Sequence, residues 1–162
     1  MESLSNKLLL IILSVLVSVL GGYNNEVNQE KELMTLYIDK INVDNKIYSK
    51  ESILNDIDIN VIILKESDYP DMEDGTVLLG GHSGIGEKAY FQRMNEMNIG
   101  DIIRIDYKEK EYVYKIDNIS KDNKDGKIRI NYGDKGKRLI IYTCCPGDKD
   151  SYLVLSANQM FT

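Results

Sequence analysis

The sequence lacks tryptophan and has only two phenylalanines. Its apolar bulk comes from 11 tyrosines and from many isoleucines and valines, which are residue types that favour β-strands. The apolar content of 43% and the charged content of 28% are those of a globular protein with a buried core. A chain of 162 residues has room for one domain and a short appendage. These features favour a single, β-rich domain.

An excess of positive charge is also missing, since the net charge is −6. Proteins that bind nucleic acids need a basic face, and here the lysines are scattered among acidic residues, as in residues 108–111. Such mixed charges are typical of solvated strand edges. We therefore expect no nucleic-acid partner.

Cysteine is scarce, and the two that occur, Cys144 and Cys145, are adjacent. Two cysteines cannot form a disulfide framework. A bridge between neighbours would be strained because their Cα atoms are only about 3.8 Å apart. A zinc site needs about four ligands, and His82 is the only histidine. At least one of the thiols is expected to be free.

An apolar run over residues 8–20 follows Lys7 and is shorter than the about 20 residues of a typical membrane-spanning helix. A cleaved signal peptide, an uncleaved signal anchor and a buried helix all remain open. We favour the anchor because no small-x-small cleavage site follows the run. The predicted organisation is a hydrophobic anchor at 1–22, a polar linker at 23–32 and a folded domain at 33–162. It predicts a single-pass protein in the cell membrane with its domain outside.

Short segments of alternating or continuous apolar residues predict strands. One helix is predicted over 87–97, where Tyr90, Phe91, Met94 and Met97 share a face, and a helical turn is predicted at 52–56 with Ser52 as its N-cap. The fold class expected from many short strands is all-β, as a closed β-barrel of seven to eight strands with one or two short helices. The predicted strands span 36–43, 60–65, 76–79, 101–107, 111–118, 127–131, 137–143 and 152–157, and residues 46–48 begin a further extended piece.

Potentially reactive side chains stand where two of these predicted strands end. His82 follows the strand at 76–79 and stands among glycines, and the thiols end the strand at 137–143. In a barrel, two strand ends can meet at one rim, and a thiol beside an imidazole is the arrangement of acyl transfer. A structural histidine and inert, packed cysteines are the simpler alternatives.

Two sequence frames resemble those of the sortases, a family of bacterial cysteine transpeptidases. Residues 77–84, VLLGGHSG, are similar to the family's strand followed by Gly-His, and residues 141–144, IYTC, with Pro146 beyond, are similar to its L-x-T-C nucleophile frame. The resemblance extends over residues 35–158. It implies a sortase-like barrel that cuts an LPXTG-like sorting signal of a surface protein or pilin. The acyl group would pass to an amine of a peptidoglycan precursor or a pilin lysine, at the membrane of a Gram-positive cell.

The same resemblance implies that Cys144 is the nucleophile and His82 the acid and base. Cys145 would point to the opposite face of its strand, where it would pack, be exposed or act as a resolving thiol.

One expected residue is missing. Sortases carry an arginine on the strand after the nucleophile, and Tyr152 stands at that position, next to Ser151. Either residue could donate a neutral hydrogen bond to the oxyanion, or Lys149 could supply a point charge. A third explanation is an impaired protein. The arginines of this chain are Arg93, Arg104, Arg129 and Arg138.

The resemblance implies no cofactor. Calcium bound by the acidic loop is the alternative, with Glu66, Asp68, Asp71, Glu73 and Asp74 as its ligands. Two other functions stay open: a barrel that binds sorting signals without turnover, and an unrelated cysteine hydrolase or redox protein.

Overall fold

The structure is a computed structural model that describes residues 31–86, 88–125 and 136–160. The predicted anchor and most of the predicted linker lie outside the described residues, as does the predicted strand at 127–131. Among the described residues, no helix has both the length and the apolar character needed to cross a membrane. The strands are β1 (Glu32–Ile38), β2 (Val43–Tyr48), β3 (Ile62–Ile63), β4 (Thr76–Gly81), β5 (Ile102–Tyr107), β6 (Lys110–Asn123), β7 (Arg138–Cys144) and β8 (Ser151–Gln159).

All eight strands form one sheet in the order β2-β1-β5-β6-β8-β7-β4-β3. The first and last strands of this order, β2 and β3, contact each other, so the sheet curls into a nearly closed barrel. Every pairing between the described strands is antiparallel except that of β4 with β7, which is parallel. The predicted all-β barrel of seven to eight strands is confirmed.

Alternating side chains of the strands fill the barrel. On β6, Tyr112, Tyr114 and Ile116 are buried, whereas Glu111 and Lys115 are exposed and Val113 is half-buried. Burial raises the pKa of the Tyr114 phenol. The alternation read from the sequence therefore separates the inside from the outside of the barrel.

β4 and β7 differ from the other strands because both of their faces are covered. Val77, Leu79 and Ile141 belong to the barrel core. Leu78 and Ile140 belong to a smaller apolar cluster on the outer face, together with Tyr142 and Val154 and with Leu64 and Tyr152 at its margin. The burial of both faces explains why these strands read as continuous apolar runs.

The helix predicted over 87–97 is wrong. Within the described part of this segment the chain forms turns and one short 3₁₀ helix, Met94–Glu96. The backbone N–H of Phe91 donates to the carbonyl of His82 at 2.9 Å, instead of to the residue four positions earlier. Phe91, Met94 and Met97 are still buried, because a spacing of three residues matches one turn of a 3₁₀ helix.

Several boundaries also differ from the prediction. The strand expected at 36–43 is divided: β1 ends at Ile38, a 3₁₀ turn covers Asp39–Ile41, and Asn42 adopts a left-handed φ of 57° before β2. β6 continues to Asn123, beyond its predicted end, because it pairs with β8 as far as Ser151. The turn expected after Ser52 is present, and the Ser52 hydroxyl accepts a hydrogen bond from the Leu54 N–H at 2.9 Å.

Candidate active site

The parallel pairing of β4 with β7 brings His82 and Cys144 to the same edge of the sheet. Gly81, the last residue of β4, pairs with Thr143, and the Thr143 hydroxyl donates to the Gly81 carbonyl at 2.8 Å. His82 and Cys144 are the residues that directly follow this pair along β4 and β7. Since parallel strands end at the same edge, neither residue needs an unusual loop to reach the other.

Both side chains line two adjacent cavities. The larger is an open cleft of about 940 Å³, and the smaller, of about 240 Å³, is mostly apolar. The cleft is lined by His82, Ser83, Gly84, Ile85, Gly86, Lys88, Ala89, Lys124, Cys144, Cys145, Pro146, Gly147, Asp148 and Lys149. The smaller cavity is lined by Ile57, Ile62, Leu64, Gly80, Gly81, His82, Tyr142, Thr143, Cys144 and Tyr152.

The two thiols have different environments. Cys144 is half-buried, and its carbonyl accepts a hydrogen bond from the Ser83 hydroxyl at 2.5 Å. Cys145 is only 8% exposed and packs into the barrel core. Its sulfur, after the Asp148 carboxylate, helps to raise the pKa of Lys121. Of the two sulfurs, Cys144 is therefore the more accessible to a substrate.

His82 has a carboxylate partner that the sequence did not reveal. Its Nε2 lies 3.1 Å from Oδ1 of Asp58, in the loop before β3. Asp58 is 78% exposed, and its backbone N–H donates to Asp56, which fixes the local turn. A hydrogen bond to one ring nitrogen orients the imidazole and sets which nitrogen carries the proton. No local motif marks Asp58, because only the fold brings it to His82.

Tyr152 lies directly opposite Cys144 in the antiparallel β7/β8 pair. Its half-buried ring meets the Tyr142 ring edge-on, with the centroids 6.4 Å apart. Ser151 is buried, and its carbonyl accepts a hydrogen bond from the Cys145 N–H. The Ser151 side chain is the main cause of the lowered pKa of Asp148. Thus Tyr152 borders the smaller cavity, whereas Ser151 forms hydrogen bonds with residues of the loop between β7 and β8.

The positive charges around the cleft are lysines. Lys149 lies in the β7–β8 loop and is exposed, as is Lys88. Lys124 is half-buried and holds its ammonium 5.2 Å from the centroid of the Tyr152 ring. The sequence analysis missed Lys124 because this residue belongs to no motif and lies outside every predicted strand.

The arginines within the described residues are engaged elsewhere. Arg93 pairs with Glu96, Arg104 with Asp39 and Glu111, and Arg138 with Asp117. None of these three lines either cavity. The position opposite Cys144 therefore has no described arginine that reaches it from another strand.

The acidic loop before β4 has structural contacts. The Asp71 carboxylate receives a hydrogen bond from Lys108 at 2.8 Å, which is the main cause of its lowered pKa. Asp68 accepts a hydrogen bond from the Thr76 N–H at 3.0 Å. Within the described ranges, no cluster of three or more histidine, cysteine and acidic residues has the arrangement of a metal site.

Comparison with known proteins gives a consistent result. A family model described as "Sortase domain" matches residues 36–159. Among solved structures, a lid mutant of sortase A from Corynebacterium diphtheriae is 18% identical with a TM-score of 0.71, over 86% of this chain and 75% of the other. Sortase C1 from Streptococcus agalactiae is also 18% identical with a TM-score of 0.71, over 84% and 71%. Clostridium perfringens sortase C, solved with a C-terminal cell wall sorting motif, is 20% identical with a TM-score of 0.69, over 85% and 75%. No curated protein sequence matches the chain.

Proposed function

Since the chain belongs to the sortase family, we propose that it is a cysteine transpeptidase that cuts an LPXTG-like sorting signal through a thioester on Cys144. The single observation that carries this proposal is the β4/β7 pairing, which sets the only histidine beside the accessible thiol at one cleft. A thiol and an imidazole in reach of each other are the minimum that thioester chemistry requires.

In the first half of the reaction, the Cys144 thiol gives its proton to His82, and the resulting thiolate attacks the scissile carbonyl carbon while the carbonyl π electrons move onto the oxygen. The carbonyl then re-forms, the carbon–nitrogen bond breaks, and His82 as imidazolium gives a proton to the leaving amine. The product is an acyl thioester on Cys144. Asp58 acts on this step through His82, by orienting the ring.

In the second half, the amine of a peptidoglycan precursor or a pilin lysine attacks the thioester carbon. His82 accepts the proton that the amine loses, and the carbon–sulfur bond breaks to restore the thiolate. The open cleft of about 940 Å³ is large enough for this second substrate to approach from the side of the β7–β8 loop.

The smaller cavity suits an apolar side chain of the sorting signal. Ile57, Ile62, Leu64 and Tyr142 supply apolar surface next to Cys144. Burial of one leucine-sized side chain contributes about 1.5–3 kcal/mol, which favours binding of an extended peptide along this groove. The proposed donor of the sorting signal is a surface protein or a pilin.

The proposed location is the cell surface. Residues 1–22 would anchor the chain in the membrane, residues 23–32 would form the linker, and the domain at 33–162 would face outward, where wall precursors and sorting signals occur. No cofactor is part of the proposed reaction.

A second candidate function is a barrel that binds sorting signals with little or no turnover. It is favoured by one observation, namely that Tyr152 stands opposite Cys144, where the family has an arginine. Loss of one oxyanion donor reduces a rate by about 10² to 10³-fold, which need not abolish the reaction.

The test uses the whole 162-residue chain in detergent micelles with a panel of fluorogenic LPXTG-type peptides. Intact-mass spectrometry and peptide mapping then look for an acyl adduct on Cys144, and an added amine should release it as a transpeptidation product. Peptide binding without an adduct would support the second candidate. Absence of both binding and adduct would contradict both functions.

A further inference from the structure

We propose that Lys124 supplies the positive charge that the family's arginine would otherwise bring to Cys144. The catalytic role of Lys124 rests on the proposed function, whereas the presence of its charge near Cys144 can be tested without any peptide. It assigns to the end of β6 a role that the family places on β8.

The first argument is the order of the strands at the edge of the cleft. Neighbouring strands run β6-β8-β7-β4. Lys124 directly follows β6, Tyr152 lies on β8, Cys144 ends β7 and His82 directly follows β4, so these residues lie in the same order. Tyr152 pairs with Cys144, and Asn123 pairs with Ser151. Lys124 therefore lies one strand beyond the position of the missing arginine, on the side away from His82.

The second argument is that Lys124 is held in place. Its backbone N–H donates to the Asp150 carbonyl at 2.8 Å, which fixes its backbone next to the start of β8. Its ammonium lies 5.2 Å from the centroid of the Tyr152 ring, within the range of a cation–π contact. The tyrosine at the arginine position thus serves as a support for the lysine.

The third argument concerns the neighbouring charges. Asp148, a carboxylate that lines the same cleft, pairs with Lys121 at 3.4 Å. None of the ion pairs formed between described residues includes Lys124. Its charge is therefore available to the anions that form at Cys144, which are the thiolate and the oxyanion of the tetrahedral intermediate. Lys149 also lines the cleft, but it is exposed and has no comparable ring contact among the described residues.

The first experiment measures the charge at the sulfur. Iodoacetate, an anion, and iodoacetamide, its neutral analogue, alkylate the same thiolate, so the ratio of their rates at Cys144 reports local charge. We expect Lys124→Met to lower this ratio by about threefold to tenfold and Lys124→Arg to retain it, because a fixed cation attracts the anionic reagent. Peptide mapping separates Cys144 from Cys145.

A matched control exists at the opposite end of β6, where Lys110 begins the strand. Lys110 lies 5.2 Å from the centroid of the Tyr112 ring, so Lys110→Met removes an equivalent cation–π contact outside the cleft. This variant should leave the ratio unchanged. An unchanged ratio in Lys124→Met, or a larger drop in Lys149→Met than in Lys124→Met, would overturn the inference.

The second experiment measures catalysis, as the single-turnover rate of thioester formation at saturating peptide. Lys124→Met should lower this rate by about 10- to 100-fold with little change in the peptide concentration for half-saturation, since the charge acts on the transition state. Adding Tyr152→Arg to Lys124→Met should restore the rate, because the arginine would return to its family position. An unaltered rate in Lys124→Met with normal acylation in the wild type would contradict this inference alone. A lowered alkylation ratio with no acylation of any peptide would support the placement of the charge and contradict the proposed function.

Discussion

At the scale of single residues, the two adjacent cysteines differ because neighbours on a strand point to opposite faces. Cys144, the last residue of β7, is half-buried and borders both cavities with His82. Cys145, just beyond the strand, reaches the edge of the larger cleft but packs mostly into the barrel core. The difference in environment, rather than in intrinsic reactivity, separates a proposed nucleophile from a packing residue. The same alternation places Tyr152 at the smaller cavity, whereas the side chain of Ser151 contacts Asp148 in the β7–β8 loop.

Substitution of each cysteine tests this separation. Cys144→Ala should abolish thioester formation because the attacking sulfur is gone. Cys145→Ala should keep acylation and lower the free energy of unfolding by about 1 kcal/mol, as expected for a small buried side chain. Intact-mass spectrometry with peptide, together with urea unfolding, measures both effects. The reverse assignment of activity would show that the other sulfur is the nucleophile.

Substitution of Tyr152 separates its ring from its hydroxyl. If the ring supports Lys124, Tyr152→Phe should acylate within about threefold of the wild type, since a phenyl face also attracts a cation. Tyr152→Ala should be slower by at least about tenfold, because it removes the support. A loss of 10² to 10³-fold in Tyr152→Phe, measured in single-turnover assays, would instead identify the hydroxyl as an oxyanion donor.

At the scale of elements, the strands were predictable and their partners were not. Alternation and continuous apolar runs mark the strands because each face must be either buried or solvated. The prediction of a helix over 87–97 was wrong because an apolar spacing of three residues was interpreted as α-helical. In the structure, the Phe91 N–H instead donates to the His82 carbonyl, just after β4. β6 was predicted to end at 118, but pairing with β8 carries it to Asn123.

The residues of the candidate site were likewise only partly predictable from the sequence. His82 and Cys144 each carry a recognisable local frame, so the sequence could nominate them. Asp58 and Lys124 carry none, because their proximity to the site comes from the path of the loop before β3 and from the order of strands in the sheet. Residues that are brought together by long-range strand pairing are not marked by any local sequence motif.

The end of β4 is packed tightly against the segment that was predicted as a helix. A Cβ added at Gly81 would lie 2.8 Å from Phe91 Cε2, whereas one added at Gly80 would meet its nearest neighbour, Ile62, at 3.5 Å. Gly81→Ala should therefore lower the free energy of unfolding by about 1–3 kcal/mol, because a fully buried ring must move. Gly80→Ala is the matched control and should cost less. Equal losses for the two variants in urea unfolding would contradict this packing.

At the scale of the whole molecule, closure of the sheet creates both the core and the site. The barrel buries large tyrosines in the absence of tryptophan, and Tyr114 is 1% exposed. Among the described strands, β4 and β7 are the one parallel pair, so the C-terminal ends of two neighbouring strands lie side by side at this place. The topology and the proposed chemistry thus depend on the same pair of strands.

Burial of Tyr114 predicts a loss of stability in alkali. Its pKa is raised by burial, so above about pH 10 the unfolded chain loses this proton while the folded chain keeps it. The free energy of unfolding is then highest below the unfolded pKa and falls as the pH rises through the folded pKa. Tyr114→Phe should reduce the fall of the free energy of unfolding with pH above pH 10, as measured by urea unfolding. Part of this slope should remain, because burial also raises the pKa of Tyr112. An identical slope in the variant would contradict the burial of this phenol.

The most direct test of the shared site uses the fact that the chain has one histidine. A nitroxide spin label on Cys144, in a Cys145→Ala background, would broaden the NMR signals of any imidazole close to it. If His82 and Cys144 border one cleft, the His82 ring signals should disappear with the label oxidised and return when ascorbate reduces it. His82 signals that stay sharp with the oxidised label in place would contradict the pairing on which the proposed chemistry depends.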